Sequence, residues 1–307
     1  MRIELPDLSV ITPSFNQARF LPFCLDSIQA NRRSCRIEHL VLDGGSTDGS
    51  VDILVQRSGD IEYWRSESDG GQSNAINAGM ALASGDLLCW INSDDGLAPG
   101  AAEWMVSLLG SRTAPAWGIG QCLIVDGWGN HTGNWTPVSH NNLEFVLRWS
   151  RNFIMQPAVF WNRAMWNVAG PLDERLNFAM DFDLWLRFFS IAPPVLIDQP
   201  IGVHRSHAES KTSHAGARIL DEYRRALAAR LSENHRARRL GEADVAHVLS
   251  VHARTALFNN DPTGARHLLG QALSLAPVKM LCDPSFVKGA LKLGATKAVS
   301  GFRGKAL

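Results

Sequence analysis

An α/β fold, with a mostly parallel sheet flanked by helices and a helical C-terminal region, is what this sequence predicts. Three observations carry the prediction. Apolar runs of strand length alternate with segments of helical periodicity over residues 8–109. Three of those runs end in polar loops, the pattern of a ligand crevice at the carboxyl edge of a parallel sheet. After about residue 213 strand-like runs cease and helical spacing continues to the end. The expected division is 1–212 for the α/β part and 213–307 for the helical part.

The elements follow in chain order. Residues 8–12 read as a strand stopped by Pro13, and residues 16–28 place Phe20, Leu21, Leu25 and Ile28 at helical spacing. Residues 37–42 are a second strand, with a helix from about Val51, and residues 61–65 a third. Residues 70–83 contain a helix with Ile76, Met80 and Ala83 on one face, and the apolar run at 87–91 is a buried central strand. Each crossover is expected to be right-handed. Residues 104–109 continue as a helix, 117–125 read as a strand pair with Gly118 and Gly120 between, and 126–137 as a turn or hairpin. Gln156-Pro157 precedes a strand, a short helix follows at 163–168 and a turn at 170–174. Phe182, Leu184, Trp185, Leu186 and Phe188 then argue for a buried helix.

Lys+Arg and Asp+Glu balance at 30 each, but unevenly along the chain. Residues 1–211 hold 15 basic against 23 acidic side chains, and residues 212–307 hold 15 against 7. An acidic front argues against nucleic acid as a ligand. The five cysteines are scattered, odd in number and without metal spacing, which fits a reducing compartment. No apolar leader or membrane-length run is present in this sequence, so a cytoplasmic location is expected.

Several polar positions invite chemistry. Asp94 and Asp95 end the central strand, where two carboxylates repel unless a cation lies between them; Mg²⁺ or Mn²⁺ suits such oxygen ligands, and a solvated Asp-Asp-Gly turn is the alternative. Pro13, Ser14, Phe15 and Asn16 read either as ordinary turn chemistry or as a nucleotide platform with Phe15 as its wall. Asp43 stands at a strand end where it could accept from a base imide or a ribose hydroxyl, ahead of a helix cap at Thr47 or Asp48. Trp128 and Trp135 fit sugar stacking or hairpin packing. Asp181 falls at a helix start, where the dipole favours a carboxylate, so an N-cap is its other reading. Residues 203–212 mix imidazoles and cations and read as a solvated polar loop in isolation.

Taken together, ITPSFN (11–16), LDGGSTDGS (42–50), DGGQSNAINAG (69–79) and WINSDD (90–95) resemble an inverting family 2 glycosyltransferase with the GT-A fold. The resemblance implies transfer of a sugar from a UDP- or dTDP-sugar to a hydroxyl of a glycan or lipid-linked acceptor, with bound Mn²⁺ or Mg²⁺. It makes Asp95 the metal contact, Asp94 a ribose or metal contact, Asp43 the base-binding strand end, and Pro13 to Asn16, Gln72 and Asn74 donor contacts. It makes Asp181 the catalytic base, with Asp183 in a supporting place. Arg205, His207, Ser210 and Lys211 match a segment that closes over the donor. There His207 would complete the metal shell, with His204 as the alternative, and Arg205 or Lys211 would offset charge on the leaving diphosphate. Gly44 and Asn74 depart from the family, many members of which carry Asp at both places. A sugar nucleotidyltransferase and a non-catalytic binding module are the rival readings.

Residues 261–277 look like one tetratricopeptide-type helix pair without further copies. In the tail, Lys279, Lys288, Lys292, Lys297, Arg303 and Lys305 alternate with apolar residues. That pattern fits a solvated helix packed on its own domain or a peripheral contact with the inner face of the plasma membrane.

Overall fold

The computed structural model describes residues 6–137, 143, 147, 154–211, 218–232, 234–258 and 261–303, with side chains as far as 294. Arg303 is described only in its backbone, and Lys297 and Lys305 lie outside the described side chains. The chain forms two compact units. One comprises Met1–Asn142 and Ile154–Glu222, the other Leu143–Phe153 and Tyr223–Leu307.

The first unit is built on a nine-stranded mixed sheet. Its strands are β1 (Leu8–Ser14), β2 (Ile37–Asp43), β3 (Tyr63–Ser66), β4 (Leu87–Trp90), β5 (Gly96–Leu97), β6 (Trp117–Asp126), β7 (His131–Trp135), β8 (Val159–Asn162) and β9 (Val195–Ser206). The order is β3-β2-β1-β4-β8-β6-β9-β5, with β7 paired to β6. The half from β3 to β4 is parallel, as expected of strands joined by helices α1 (Leu21–Asn31), α2 (Ser50–Gln56) and α3 (Gln72–Leu82). Beyond β4 the pairing to β8 and from β8 to β6 is antiparallel, while β6 and β9 run parallel. Helices α4 (Ala101–Leu109), α5 (Arg163–Ala169) and α6 (Met180–Ile191) complete this part.

Three sequence expectations change in detail. Pro13 does not stop β1, because pairing with β4 ends at Ile11 opposite Trp90 and no ladder bond needs the missing N–H beyond it. Residues 117–125 are not a strand pair. Gly118 and Gly120 lie inside β6, where an added Cβ would fall 2.4 Å from the Phe160 ring and 2.2 Å from Ile201. These glycines mark close cross-strand approach and not a turn. Residues 203–206 are not loop but the end of β9, paired with β6 from Leu123 to Asp126.

Leu8, Val10, Cys89, Ile91, Phe160 and Ile201 belong to one buried cluster, and Leu21, Leu25, Val41 and Leu54 to a second. An aromatic layer joins β4, β6, β8 and α6. The Trp90 and Trp185 rings stack at 5.8 Å, Trp117 stacks on Trp185 at 5.9 Å, and Trp161 meets Trp90 edge-on at 5.5 Å. All four are fully buried. Truncating one costs about 3–5 kcal/mol by the usual cavity arithmetic. In the hairpin, Trp135 packs against the core, whereas Trp128 is 84% exposed with the Arg19 guanidinium 4.8 Å from its ring.

The second unit is helical. It contains α8 (His235–Phe258), α9 (Pro262–Leu275), α10 (Pro277–Leu281) and α11 (Pro284–Arg303), preceded by α7 (Arg218–Arg230), which begins in the first unit. Asp261 caps α9 by accepting from the Gly264 N–H at 2.8 Å. Among the described residues no helix is long and apolar enough to cross a membrane.

Candidate active site

The carboxyl ends of β1, β2, β3 and β4 bring their loops together. Asn16 takes a left-handed backbone (φ 52°), its N–H donates to Ser46 Oγ at 2.7 Å, and its side-chain oxygen accepts from the Thr47 N–H at 2.9 Å. Asp43, 2% exposed, accepts from the Gly45 and Ser46 N–H groups and from the hydroxyls of Ser46 and Ser66, at 2.5–3.1 Å. Its carboxylate is thus engaged in shaping its own loop. An added Cβ on Gly44 would lie 3.3 Å from the Phe15 ring and 3.4 Å from the Asp69 carboxylate, so a side chain there would crowd both. Phe15 is 59% exposed and Asp69 accepts from the Gly71 N–H, which leaves an open aromatic wall above the Asp43 loop. Pro13 and Ser14 are buried in the end of β1.

Past β4 the two aspartates form two separate carboxylate–imidazole pairs. Asp95 Oδ1 meets His204 Nδ1 at 3.1 Å and accepts from the Arg205 N–H at 2.9 Å, while its Oδ2 accepts from Asn92 at 3.2 Å. Asp94 Oδ2 meets His207 Nε2 at 3.0 Å, and the His207 ring packs on Phe20 at 4.4 Å. Burial, then the Asp94 charge, pushes the Asp95 carboxyl above its ordinary range. Burial opposes the His204 cation, but the hydrogen bond to Asp95 and the charges of both aspartates outweigh it and raise that imidazole. Arg205 is buried. Its guanidinium donates to the Asp94 carbonyl at 3.1 Å and lies over Phe23 at 4.6 Å, so it braces the aspartates from behind.

A hydrogen-bonded chain leads from this cluster to Lys211, whose ammonium lies 5.6 Å from the ring of Phe178 just before α6. Asn92 donates to Asp95, Gln72 donates to Asn92 at 2.8 Å, and Lys211 Nζ donates to Gln72 Oε1 at 2.9 Å. Asp181 stands in the first turn of α6, half-buried, accepting from the Phe182 N–H at 2.7 Å. Desolvation raises its carboxyl to about 6, against its backbone hydrogen bonds and, less strongly, the Lys211 charge. Burial lowers the Lys211 ammonium, against the charges of Glu222 and Asp181. Asp183 is turned into the protein and pairs with Arg187 at 2.9 Å. Asn74 donates to Glu174 at 3.2 Å, and Ser73 donates to the Leu176 carbonyl at 3.1 Å, so α3 is tied to the approach to α6.

Asn92 and Gln156 are site residues that the sequence reading did not single out. Gln156 donates to the Trp90 carbonyl at 2.8 Å and accepts from Asn92 at 3.3 Å, which fixes the turn carrying both aspartates. Asn92 lies inside the WINSDD motif and its place was therefore readable; the partnership with Gln156 spans 64 residues and was not.

The family model of glycosyl transferase family 2 matches residues 9–163. The chain belongs to that family. An uncharacterized glycosyltransferase of Mycobacterium tuberculosis is 33% identical over 195 residues, 62% of this chain and 72% of the relative. A PGL/p-HBAD biosynthesis glycosyltransferase of the same species is 31% identical over 189 residues, 60% and 70% of the two chains. Among solved structures, Staphylococcus aureus TarS in complex with UDP-GlcNAc superposes with TM-score 0.63 at 14% identity, covering 93% of this chain and 88% of that one. A mannosyltransferase of Pyrobaculum calidifontis, in complex with GDP-Man and Mn²⁺, gives 0.54 at 17% identity, covering 95% and 88%. These likenesses show the GT-A-like fold, and family membership makes this chain a glycosyltransferase. The family 2 match runs from the second residue of β1 to just past β8, so Asp181, Arg205, His207 and Lys211 fall beyond it.

The residues present fit a divalent cation in kind, since carboxylate oxygen and imidazole nitrogen suit Mn²⁺. Among the described residues they do not form a preassembled cluster of three or more ligands. Asp95 keeps both oxygens on protein donors, and His207 pairs with Asp94 where the sequence reading joined it to Asp95.

Proposed function

We propose that this glycosyltransferase moves one sugar, with inversion, from a UDP- or dTDP-linked donor to a hydroxyl of a glycan or lipid-linked acceptor. The supporting observation is the chain Asp95–Asn92–Gln72–Lys211, which runs from the paired aspartates to the charge beside Asp181. The acceptor oxygen bonds to the anomeric carbon as that carbon's bond to the diphosphate oxygen breaks, and the acceptor proton passes to Asp181. Phe15 and the loops braced by Asp43 receive the nucleoside. Lys211, held on Gln72, sets a positive charge between the two halves of the reaction. A divalent cation, Mn²⁺ or Mg²⁺, would be held by Asp94, Asp95 and His207 and would supply neutralising charge to the leaving diphosphate.

The test is a panel of nucleotide-sugars, each with Mn²⁺ or with chelator, read as nucleoside diphosphate release. The reading expects release with one donor class that falls with chelator and with Asp95→Asn. Pyrophosphate release from a nucleoside triphosphate and a sugar phosphate would favour a nucleotidyltransferase instead. Unchanged metal dependence in Asp95→Asn would sink the metal assignment.

We also propose that the C-terminal helices bring the enzyme to anionic lipid. Val278 is 80%, Leu281 67% and Leu291 69% exposed, beside Lys279, Lys288 and Lys292. Each such lysine near an anionic surface is worth about 1 kcal/mol. The full chain should pellet with anionic vesicles at low salt, and the triple Lys→Glu variant at 279, 288 and 292 should not. Equal pelleting of the two would end the idea.

A further inference from the structure

Helix α6 carries Asp181 but has no local cap. Its N-cap residue is Ala179, whose side chain offers no acceptor. The backbone N–H groups of Asn177, Phe178 and Ala179 instead converge on one atom, Oε2 of Glu222, at 2.8, 2.6 and 3.0 Å. Glu222 is 6% exposed on α7, 41 residues after Asp181 in the sequence. A buried carboxylate collecting three consecutive N–H groups is a strong, charge-assisted anchor. Its charge also acts on Lys211, whose ammonium lies 5.6 Å from the ring of Phe178 in the same turn.

Resting on the reading of Asp181 as the base, we propose that Glu222 is a positioning residue for the transfer. It pins the turn that aims Asp181. It touches neither donor nor acceptor. Removing it lets the turn 177–179 shift, and a displacement of about 1 Å at a reacting group can cost about 10²-fold.

The experiment measures kcat and donor Kd for Glu222→Gln, Asp181→Asn and the double variant, with thermal unfolding of each. Glu222→Gln should lower kcat by about 10–100-fold while donor Kd stays within about twofold. Added to Asp181→Asn, it should lower kcat by less than about twofold more, because the aim of an absent base no longer matters. A merely structural loss would be felt equally in both backgrounds, and that result overturns the proposal. So does a donor Kd weakened as much as kcat, or an unchanged kcat. If Asp181→Asn alone keeps full kcat, the base assignment falls and takes this inference with it. If Asp181→Asn loses kcat and Glu222→Gln does not, only this inference falls. Should Glu222→Gln fail to fold, Glu222→Asp, which keeps the charge and shortens the reach, is read by the same two criteria.

Discussion

Asp43 and Asp181 are two carboxylates of the same α/β unit in opposite surroundings. Asp43 accepts from two backbone N–H groups and two hydroxyls at the end of β2. Asp181 accepts from backbone N–H groups but from no side chain among the described residues, in a setting whose burial pushes its carboxyl up to about 6. A carboxylate whose lone pairs are spent on its own loop shapes a site. One that is desolvated and sparsely bonded is poised to take a proton. Both positions were expected to serve the reaction, and their hydrogen-bond inventories differ.

The comparison can be broken most directly at Asp181. Asp181→Asn should leave donor affinity intact and reduce turnover by about 10²–10⁴-fold, measured in steady state with donor binding by calorimetry. A loss confined to donor binding would make Asp181 a donor contact. Asp43→Ala should do the reverse in kind. It strips four hydrogen bonds from the loop, so unfolding by denaturant should show a loss of about 2–4 kcal/mol, with donor affinity falling as the loop loosens. A variant as stable as the parent would mean the loop holds itself without Asp43.

The pH profile sharpens the contrast. A base with a carboxyl near 6 is protonated below that pH, so kcat/KM should fall about tenfold per unit below pH 6 and level off above it. An acid limb near 4 would contradict the desolvated setting. The smallest effect concerns stability. Asp181 binds its proton more tightly in the folded than in the unfolded chain, so its contribution to stability declines as pH rises from about 4 through 6. At neutral pH Asp181→Asn removes that cost and should stabilise the fold by about 1 kcal/mol, seen as a higher Tm than the parent. A lower Tm would place Asp181 among the structural carboxylates with Asp43.

Much of the parallel half was legible because its signals are local. Apolar runs, glycine-bearing loops and the WINSDD motif all lie within single stretches of chain. What escaped depends on distant partners. The polar run His204-Arg205 looks solvated by composition, yet it forms a strand because Asp95, Phe20 and Phe23 supply the partners that burial of Arg205 requires. Gly118 and Gly120 read as punctuation because Phe160 and Ile201, which occupy the space of their missing side chains, are 42 and 81 residues away. Glu222 gave no signal at all, being one acid on an amphipathic helix until its three donors are seen together.

The stacked indoles give the protein its own optical gauge. Trp90 lies on the strand leading to the paired aspartates, and Trp185 lies one turn beyond Asp181 on α6, with the ring planes only 3° apart. Two transition dipoles held that close couple, and the coupling depends on separation and angle. Far-ultraviolet exciton circular dichroism of the unlabelled chain therefore carries a contribution from the spacing between this strand and this helix, beside those of Trp117 and Trp161 in the same layer. A donor that draws those two elements together would announce itself in that band without a probe or a substituted residue.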